Sequence, residues 1–247
     1  MKNLKTGTRF SMQAAGDTAE ILIYEEIGAS FWGGGVDAKQ FVLDLKALDV
    51  KTLNVRLNSP GGDVFDGVAI YNQLTQHPAT VNIFIDGLAA SIASIIAMAG
   101  NTISIADNAM LMIHNAWAGT VGNSKDMRKM ADILDKIDVT MAGTYSKRSG
   151  TSKSKVVEMM AEETWFSGQE AVDAGFADEI TQSTEAAEAR AYFDLSHFKH
   201  APAAYALLFH NSLKSMKDQS AESAKQLPSA PDFYRERLKL YERTLKH

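Results

Sequence analysis

Residues 81–100, VNIFIDGLAASIASIIAMAG, constrain the rest of the chain more than any other stretch. Val81 to Ile85 is an apolar, β-branched run and reads as a buried strand. Asp86, Gly87, Ala89 and Ala90 predict a tight turn. Ser91 then opens a run of small and aliphatic residues that predicts a buried helix ending at Gly100. A serine at a strand-to-helix turn stands at the end of a sheet, where the first helical N–H groups can stabilise negative charge developing beside it. Two readings stay open on this stretch alone. Ser91 is either a nucleophile or simply the N-cap of a buried helix.

The flanking chain decides the fold class. Residues 1–18 read as a flexible polar lead-in, and Glu20 to Tyr24 as a strand. A glycine-rich loop with Phe31 and Trp32 follows, and Asp37 caps a helix with Phe41, Leu45 and Leu48 on one face. Thr52 to Leu57 is a strand running into NSPGGD, where Gly61 and Gly62 permit positive φ and close backbone approach. That loop is a plain turn or a cradle whose N–H groups point at a ligand oxygen. A helix over 64–76 has Val68, Tyr71 and Leu74 spaced for burial, and His77-Pro78 ends it.

Beyond Gly100, TISIA and AMLMIH are strands, the second ending at His114. Ser124 to about Arg148 predicts a long amphipathic helix with Met127, Met130, Ile133, Leu134, Ile137 and Met141 at helical spacing. A short helix, a Ser167/Glu170 capping box and a last strand, ADEIT, complete the pattern. Strands alternating with helices over residues 20–182 specify an α/β fold.

Composition narrows the function classes. A formal net charge of −5 gives no support for nucleic acid as a partner. The longest apolar run, Leu88 to Ala99, falls short of the ~20 residues a membrane helix needs. The chain has no cysteine, so disulfides and thiolate metal sites are excluded, and no metal or other cofactor is expected. No apolar segment follows the basic N-terminus, so a secretory signal is not predicted and a cytoplasmic location is expected.

A Gly-Gly loop after a strand, a serine at a helix start and a histidine at a strand end together suit acyl transfer. A serine hydroxyl needs a base, a histidine serves near neutral pH, a carboxylate orients it, and backbone N–H groups receive the oxyanion. NSPGGDVFDGVAIYNQL, DGLAASIASIIAMAG, MLMIHNAW and ETWFSGQEAVDAGFADEI, in that order, resemble the Clp-type serine peptidases over roughly residues 19–182. The resemblance is nearest to the Clp-like proteases of tailed phages and prophages. It implies a crotonase-like β-β-α superhelix, with Ser91 as nucleophile and His114 as base. It also implies an oxyanion hole made by the N–H groups of Gly61 and Ile92. Where the family carries an aspartate, this chain has Glu163, one methylene longer, with Glu162 as the fallback. The G-x-S-x-G elbow of α/β-hydrolases is absent, since Ala89 and Ala93 stand where glycine is required.

The resemblance further implies protein or peptide substrates and a homo-oligomeric ring, typically two stacked heptamers joined through the helix from Ser124. It also implies an ATP-dependent AAA+ unfoldase partner. The chain itself carries no G-x-x-x-x-G-K-[ST] phosphate loop.

The expected organisation is a lead-in over 1–18, a peptidase domain over 19–183 and an extension over 184–247. The extension is expected to be partly disordered, to end in an amphipathic helix with Tyr234, Leu238, Tyr241 and Leu245 on one face, and to bind capsid or scaffold proteins. His197, His200 and His210 read as ordinary surface residues. A crotonase-type acyl-CoA enzyme, a Ser-Lys peptidase and a non-catalytic capsid assembly factor are the competing readings. Ser94 is the alternative nucleophile.

Overall fold

Parallel pairing dominates the sheet, because most strands are followed by a helix that returns the chain to the same edge. The computed structural model describes residues 10–28, 35–182 and 193–202. The chain divides into two units, Met1–Ala201 and Pro202–His247, and the strands and helices named below belong to the first. Phe31, Trp32, His210 and the helix expected over 234–245 lie outside the described residues.

In chain order the elements are β1 (Phe10–Ala15), β2 (Thr18–Ile23), α1 (Ala38–Lys46), β3 (Thr52–Ser59), α2 (Val64–Gln76), β4 (Thr80–Ala90) and α3 (Ile92–Ala97). They continue with β5 (Thr102–Ala106), β6 (Met110–Ile113), α4 (Ser124–Ser149), α5 (Lys153–Ala161), β7 (Thr164–Ser167), α6 (Gly168–Asp173) and β8 (Glu179–Thr181). The sheet runs β1-β2-β3-β4-β5-β8, with β6 on β4 and β7 on β6. The β1–β2 and β6–β7 pairs are antiparallel and the rest are parallel. The chain is therefore mixed α/β, as its alternating pattern predicts.

Alternation in the central strands drives this layout. Leu53, Val55 and Leu57 of β3 and Ile83 and Ile85 of β4 are buried on one face, beneath Phe41 and Leu45 of α1 and Ile70 and Leu74 of α2. Each such side chain stabilises the fold by about 1.5–3 kcal/mol relative to exposure. The other face carries polar pairs instead. Asn82 donates to Asn54 at 3.0 Å and accepts from Thr102 at 2.8 Å. Arg56 grips Asp86 through two N–H groups, at 2.8 and 2.5 Å.

Three sequence expectations need correction. First, the lead-in is not flexible throughout. Residues 10–15 form β1, because Phe10 and Met12 pack on the core and Phe10 meets the Phe41 ring at 6.0 Å. Second, residues 86–90 are not a turn; β4 continues through them to Ala90. Their small size serves close packing: a Cβ on Gly87 would stand 2.9 Å from Asn58 Oδ1. Third, the buried face of α2 is Gly67, Ile70 and Leu74, while Val68 and Tyr71 are only partly covered. Gly67 is required there because a Cβ would come within 2.2 Å of the Ile92 side chain. The apolar stripe of α4, by contrast, is open to either core or subunit packing on sequence grounds, and it divides. Met141 is buried, but Met127 is 42% and Ile133 39% exposed.

Candidate active site

Strand β4 is long enough to have two partners, and this creates the site. Its first half pairs with β5 and its last three residues pair with β6, with Ala90 opposite Met112. Because β4 and β6 run parallel, both leave the sheet at the same edge, where α/β folds gather reactive groups. Ser91 follows β4 and His114 follows β6. On the other flank, Ser59 of β3 aligns with Ala89, so the loop carrying Gly61 comes off beside Ser91. Finally, β7 pairs antiparallel with β6, Ile113 opposite Thr164, which brings Glu163 across from His114.

Ser91 Oγ lies 2.8 Å from His114 Nε2. Ser91 occupies the N-cap position of α3, but its side chain makes no capping bond. The hydroxyl therefore does not cap the helix; it is turned to the imidazole. The backbone of Ser91 sits at φ 55°, ψ −130°, a conformation costing about 1–3 kcal/mol for a non-glycine residue. Among the described residues only Ser91 and Glu163 (φ 50°) are non-glycine residues with positive φ. Strain of this kind collects at functional sites.

Gly61 is pressed against this centre. At φ +99°, its added Cβ would stand 2.6 Å from Ser91 Cβ and 3.2 Å from Ile92 N. Its N–H donates to Ser59 Oγ at 3.2 Å, and its carbonyl accepts from Ile27 N–H at 2.8 Å. The loop is thus stitched to Ile27 rather than a free turn. Ile92 is the first residue of α3, where the helix supplies no acceptor for its own N–H. Two backbone donors therefore stand beside the serine.

Glu163 is 8% exposed as a residue, and its carboxylate is already heavily bonded. Oε1 accepts from Trp165 Nε1 at 3.2 Å and His200 N–H at 2.6 Å, and Oε2 accepts from Lys199 N–H at 2.9 Å. With two lone pairs on each oxygen, Oε1 is filled and Oε2 has one place left. The bonds of Glu163 do not run to His114, so on this geometry it acts on the histidine through its charge. Burial would push the Glu163 carboxyl up, but the two amides and the indole N–H outweigh it and hold it below the ordinary value. Burial lowers His114, Glu163 partly offsets this, and His197 reinforces it; the net direction is down from 6.5.

His197 and His200 are exposed, as surface residues are expected to be, but the segment that carries them is not a free tail. Segment 195–200, assigned by sequence to the tail, packs on the site: Leu195 and Phe198 are buried. The Phe198 ring meets His114 edge-on at 5.3 Å and Trp165 at 5.7 Å. His200 Nδ1 lies 3.0 Å from the Glu162 carbonyl, so Glu162 contributes its backbone here. These contacts span more than 30 residues, and no local pattern announces them.

Ser94 is fully buried, with its hydroxyl among the Ser91 and Met112 carbonyls and the Tyr145 hydroxyl. It has no base and no access, which removes it as a nucleophile. A single hydroxyl in the aliphatic run IASIIA is the signal for a buried polar contact. Among the described residues no group of three or more His, Asp or Glu side chains is arranged to hold a metal ion. No helix among them is long and apolar enough to cross a membrane.

The model of the Clp protease family matches residues 11–184, and the chain belongs to that family. Among curated proteins it is similar to ATP-dependent Clp protease proteolytic subunits. One from Deinococcus radiodurans is 29% identical over 153 residues, covering 60% of this chain and 75% of that protein. One from Streptococcus pneumoniae is 35% identical over 144 residues, covering 56% and 74%. One from Bacteroides fragilis is 31% identical over 132 residues, covering 53% of this chain and 64% of that protein.

Proposed function

We propose that this chain is a serine endopeptidase, with Ser91 as nucleophile and His114 as general base. The observation that carries this reading is the 2.8 Å contact between Ser91 Oγ and His114 Nε2 on a strained serine. For Nε2 to accept, the imidazole proton must sit on Nδ1. A lowered His114 keeps the ring neutral at pH 7 and ready to take the serine proton. Oγ attacks the scissile carbonyl, and the N–H groups of Gly61 and Ile92 receive the oxyanion. The Gly61 N–H is then shared between Ser59 Oγ and the oxyanion. His114 passes its proton to the leaving amine, and water hydrolyses the acyl-serine by the same route in reverse. Glu163 stabilises the imidazolium through its charge.

Ser91→Ala is expected to abolish labelling by a fluorophosphonate probe and peptide cleavage, with thermal unfolding unchanged. Labelling that persists in the mutant points to another nucleophile and ends this reading.

Two settings suit the activity. Processing of phage capsid or scaffold proteins is supported by the long stretch, residues 185–247, beyond the family match. Work with an ATP-dependent unfoldase is supported by the names of the relatives. Incorporation into procapsids with and without residues 203–247 tests the first setting; equal incorporation sinks it. Either setting is compatible with a homo-oligomeric ring, and the exposed Met127, Ile133 and Val139 on α4 support burial against a second copy. Ile133→Glu is expected to reduce the particle mass in analytical ultracentrifugation. An unchanged mass removes α4 from the interface.

A further inference from the structure

Ser94 and Tyr145 bring two hydroxyls together in the core, and the acyl-transfer steps use neither. Ser94 is completely buried on α3, and Tyr145 on α4 is 2% exposed. Ser94 Oγ lies 2.6 Å from the Ser91 carbonyl oxygen, 2.9 Å from the Met112 carbonyl oxygen and 2.7 Å from Tyr145 Oη. Tyr145 Oη is itself 3.4 Å from the Ser91 carbonyl oxygen. Each hydroxyl has one proton to give. The Met112 oxygen already accepts from Ser91 N–H at 3.0 Å. The shortest arrangement sends the Ser94 proton to the Ser91 carbonyl and the Tyr145 proton to Ser94 Oγ. Buried hydroxyls are costly when unpaired, and the Ser91 carbonyl is the nearest acceptor to this pair; it also accepts from the Ser94 N–H at 3.0 Å, and the hydroxyls add to that backbone bond.

That carbonyl and the Ile92 N–H are opposite ends of one peptide unit. In a planar trans peptide they point in opposite directions, and the described backbone has no cis bond. Holding the C=O in the core therefore aims the N–H away from it, on the side of Gly61, whose absent Cβ would lie 3.2 Å from Ile92 N. The same bond restrains Ser91 at ψ −130°, which a free serine with φ 55° leaves readily.

We propose that Ser94 and Tyr145 are positioning residues: they clamp the Ser91–Ile92 peptide so that Ile92 N–H serves as an oxyanion donor. This rests on the serine-peptidase reading and adds the groups that set the geometry of its oxyanion hole.

The test uses the full chain as Ser94→Ala and Tyr145→Phe, the second removing only one oxygen. Three quantities are read: the rate of fluorophosphonate labelling, the affinity of a peptide boronate measured by protection against labelling, and Tm. A boronate places a tetrahedral oxygen where the oxyanion forms. Removing an oxyanion donor outright costs about 10²–10³-fold, and misaiming one costs less: about ten-fold for Ser94→Ala and several-fold for Tyr145→Phe. Boronate affinity is expected to fall by the same factors. A merely structural pair lowers Tm but leaves labelling and boronate affinity at wild-type values well below Tm, and that result overturns the proposal. Slowed labelling with unchanged boronate affinity overturns it too, since the effect then lies on the Ser91 hydroxyl alone. If Ser94→Ala does not fold, Tyr145→Phe decides. Ser91→Ala separates the two claims. If its labelling is lost while both clamp variants react at wild-type rates, the clamp fails and the peptidase stands. If its labelling persists, the peptidase reading fails.

Discussion

Gly61→Ala tests the packing of the site most directly, because the structure specifies what the added methyl meets. The backbone at φ +99° disfavours any L side chain, by about 1–3 kcal/mol. The new Cβ would stand 2.6 Å from Ser91 Cβ and 2.9 Å from the Ala90 carbonyl oxygen, where ordinary contact begins at 3.4 Å. Neither neighbour is the end of a flexible side chain, so the loop and Ser91 must separate by about 0.8 Å, close to the ~1 Å misplacement that costs about 10²-fold in rate. The expected result is a stability loss of about 2–4 kcal/mol in urea unfolding. Fluorophosphonate labelling should slow about 100-fold under conditions where the fold is intact. Gly16→Ala is the control: φ is +62° but nothing lies within 4 Å of its Cβ, so only the backbone cost of about 1 kcal/mol is expected, with no change in rate. A folded Gly61→Ala protein that labels within about three-fold of wild type would refute the claim that Gly61 and Ser91 are packed in contact for reaction.

Charge supplies the next perturbations. Glu163→Gln removes the charge that raises His114, so the acid limb of the labelling-rate profile should move to lower pH; an unmoved or raised limb contradicts the electrostatic role. The same variant turns an NH₂ toward the donors of segment 199–200 and should cost about 1–3 kcal/mol. In the wild type, acid weakens the fold through both groups. His114 is lowered, so its contribution is lost as pH falls below its unfolded value of 6.5. Glu163 is also lowered, so its contribution is present above 4.5 and is lost as pH falls through its folded pKa. Asp86→Asn removes the charge and one of the two oxygens that accept from Arg56, and weakens the acceptor for Tyr24 Oη at 2.5 Å. With Arg56 35% exposed, the orphaned guanidinium is partly hydrated and the loss should be about 2 kcal/mol, below that of a fully buried pair. A urea midpoint shift worth less than about 0.5 kcal/mol contradicts this.

Much of the frame is local and therefore legible. Asp37 and Ser167 cap their helices as the sequence predicts, because capping involves residues two or three apart. Gly150 ends α4 at φ 73° for the same reason. Small residues are harder to interpret. Gly87, Ala89 and Ala90 resemble a turn, yet they continue β4, because the same smallness that permits a turn also permits a close neighbour. The stripe on α4 shows which residues share a face but not what covers it, since amphipathicity carries no partner.

For the proposed site, sequence alone pointed to Ser91, His114 and the Gly61 loop. A serine after one apolar strand, a histidine after another and a glycine loop after a third are chemically coherent, and parallel strands deliver their ends to one edge. Only the tertiary structure decided what surrounds them. The β6–β7 register brings Glu163 to His114, the 195–200 segment takes up its oxygens, and Tyr145 reaches Ser94 from a helix 51 residues away. Such contacts depend on where distant elements pack, and local patterning is blind to that. Ser91 could be read as a helix cap from its neighbours, but its hydroxyl direction follows from φ and from His114, which the fold alone supplies.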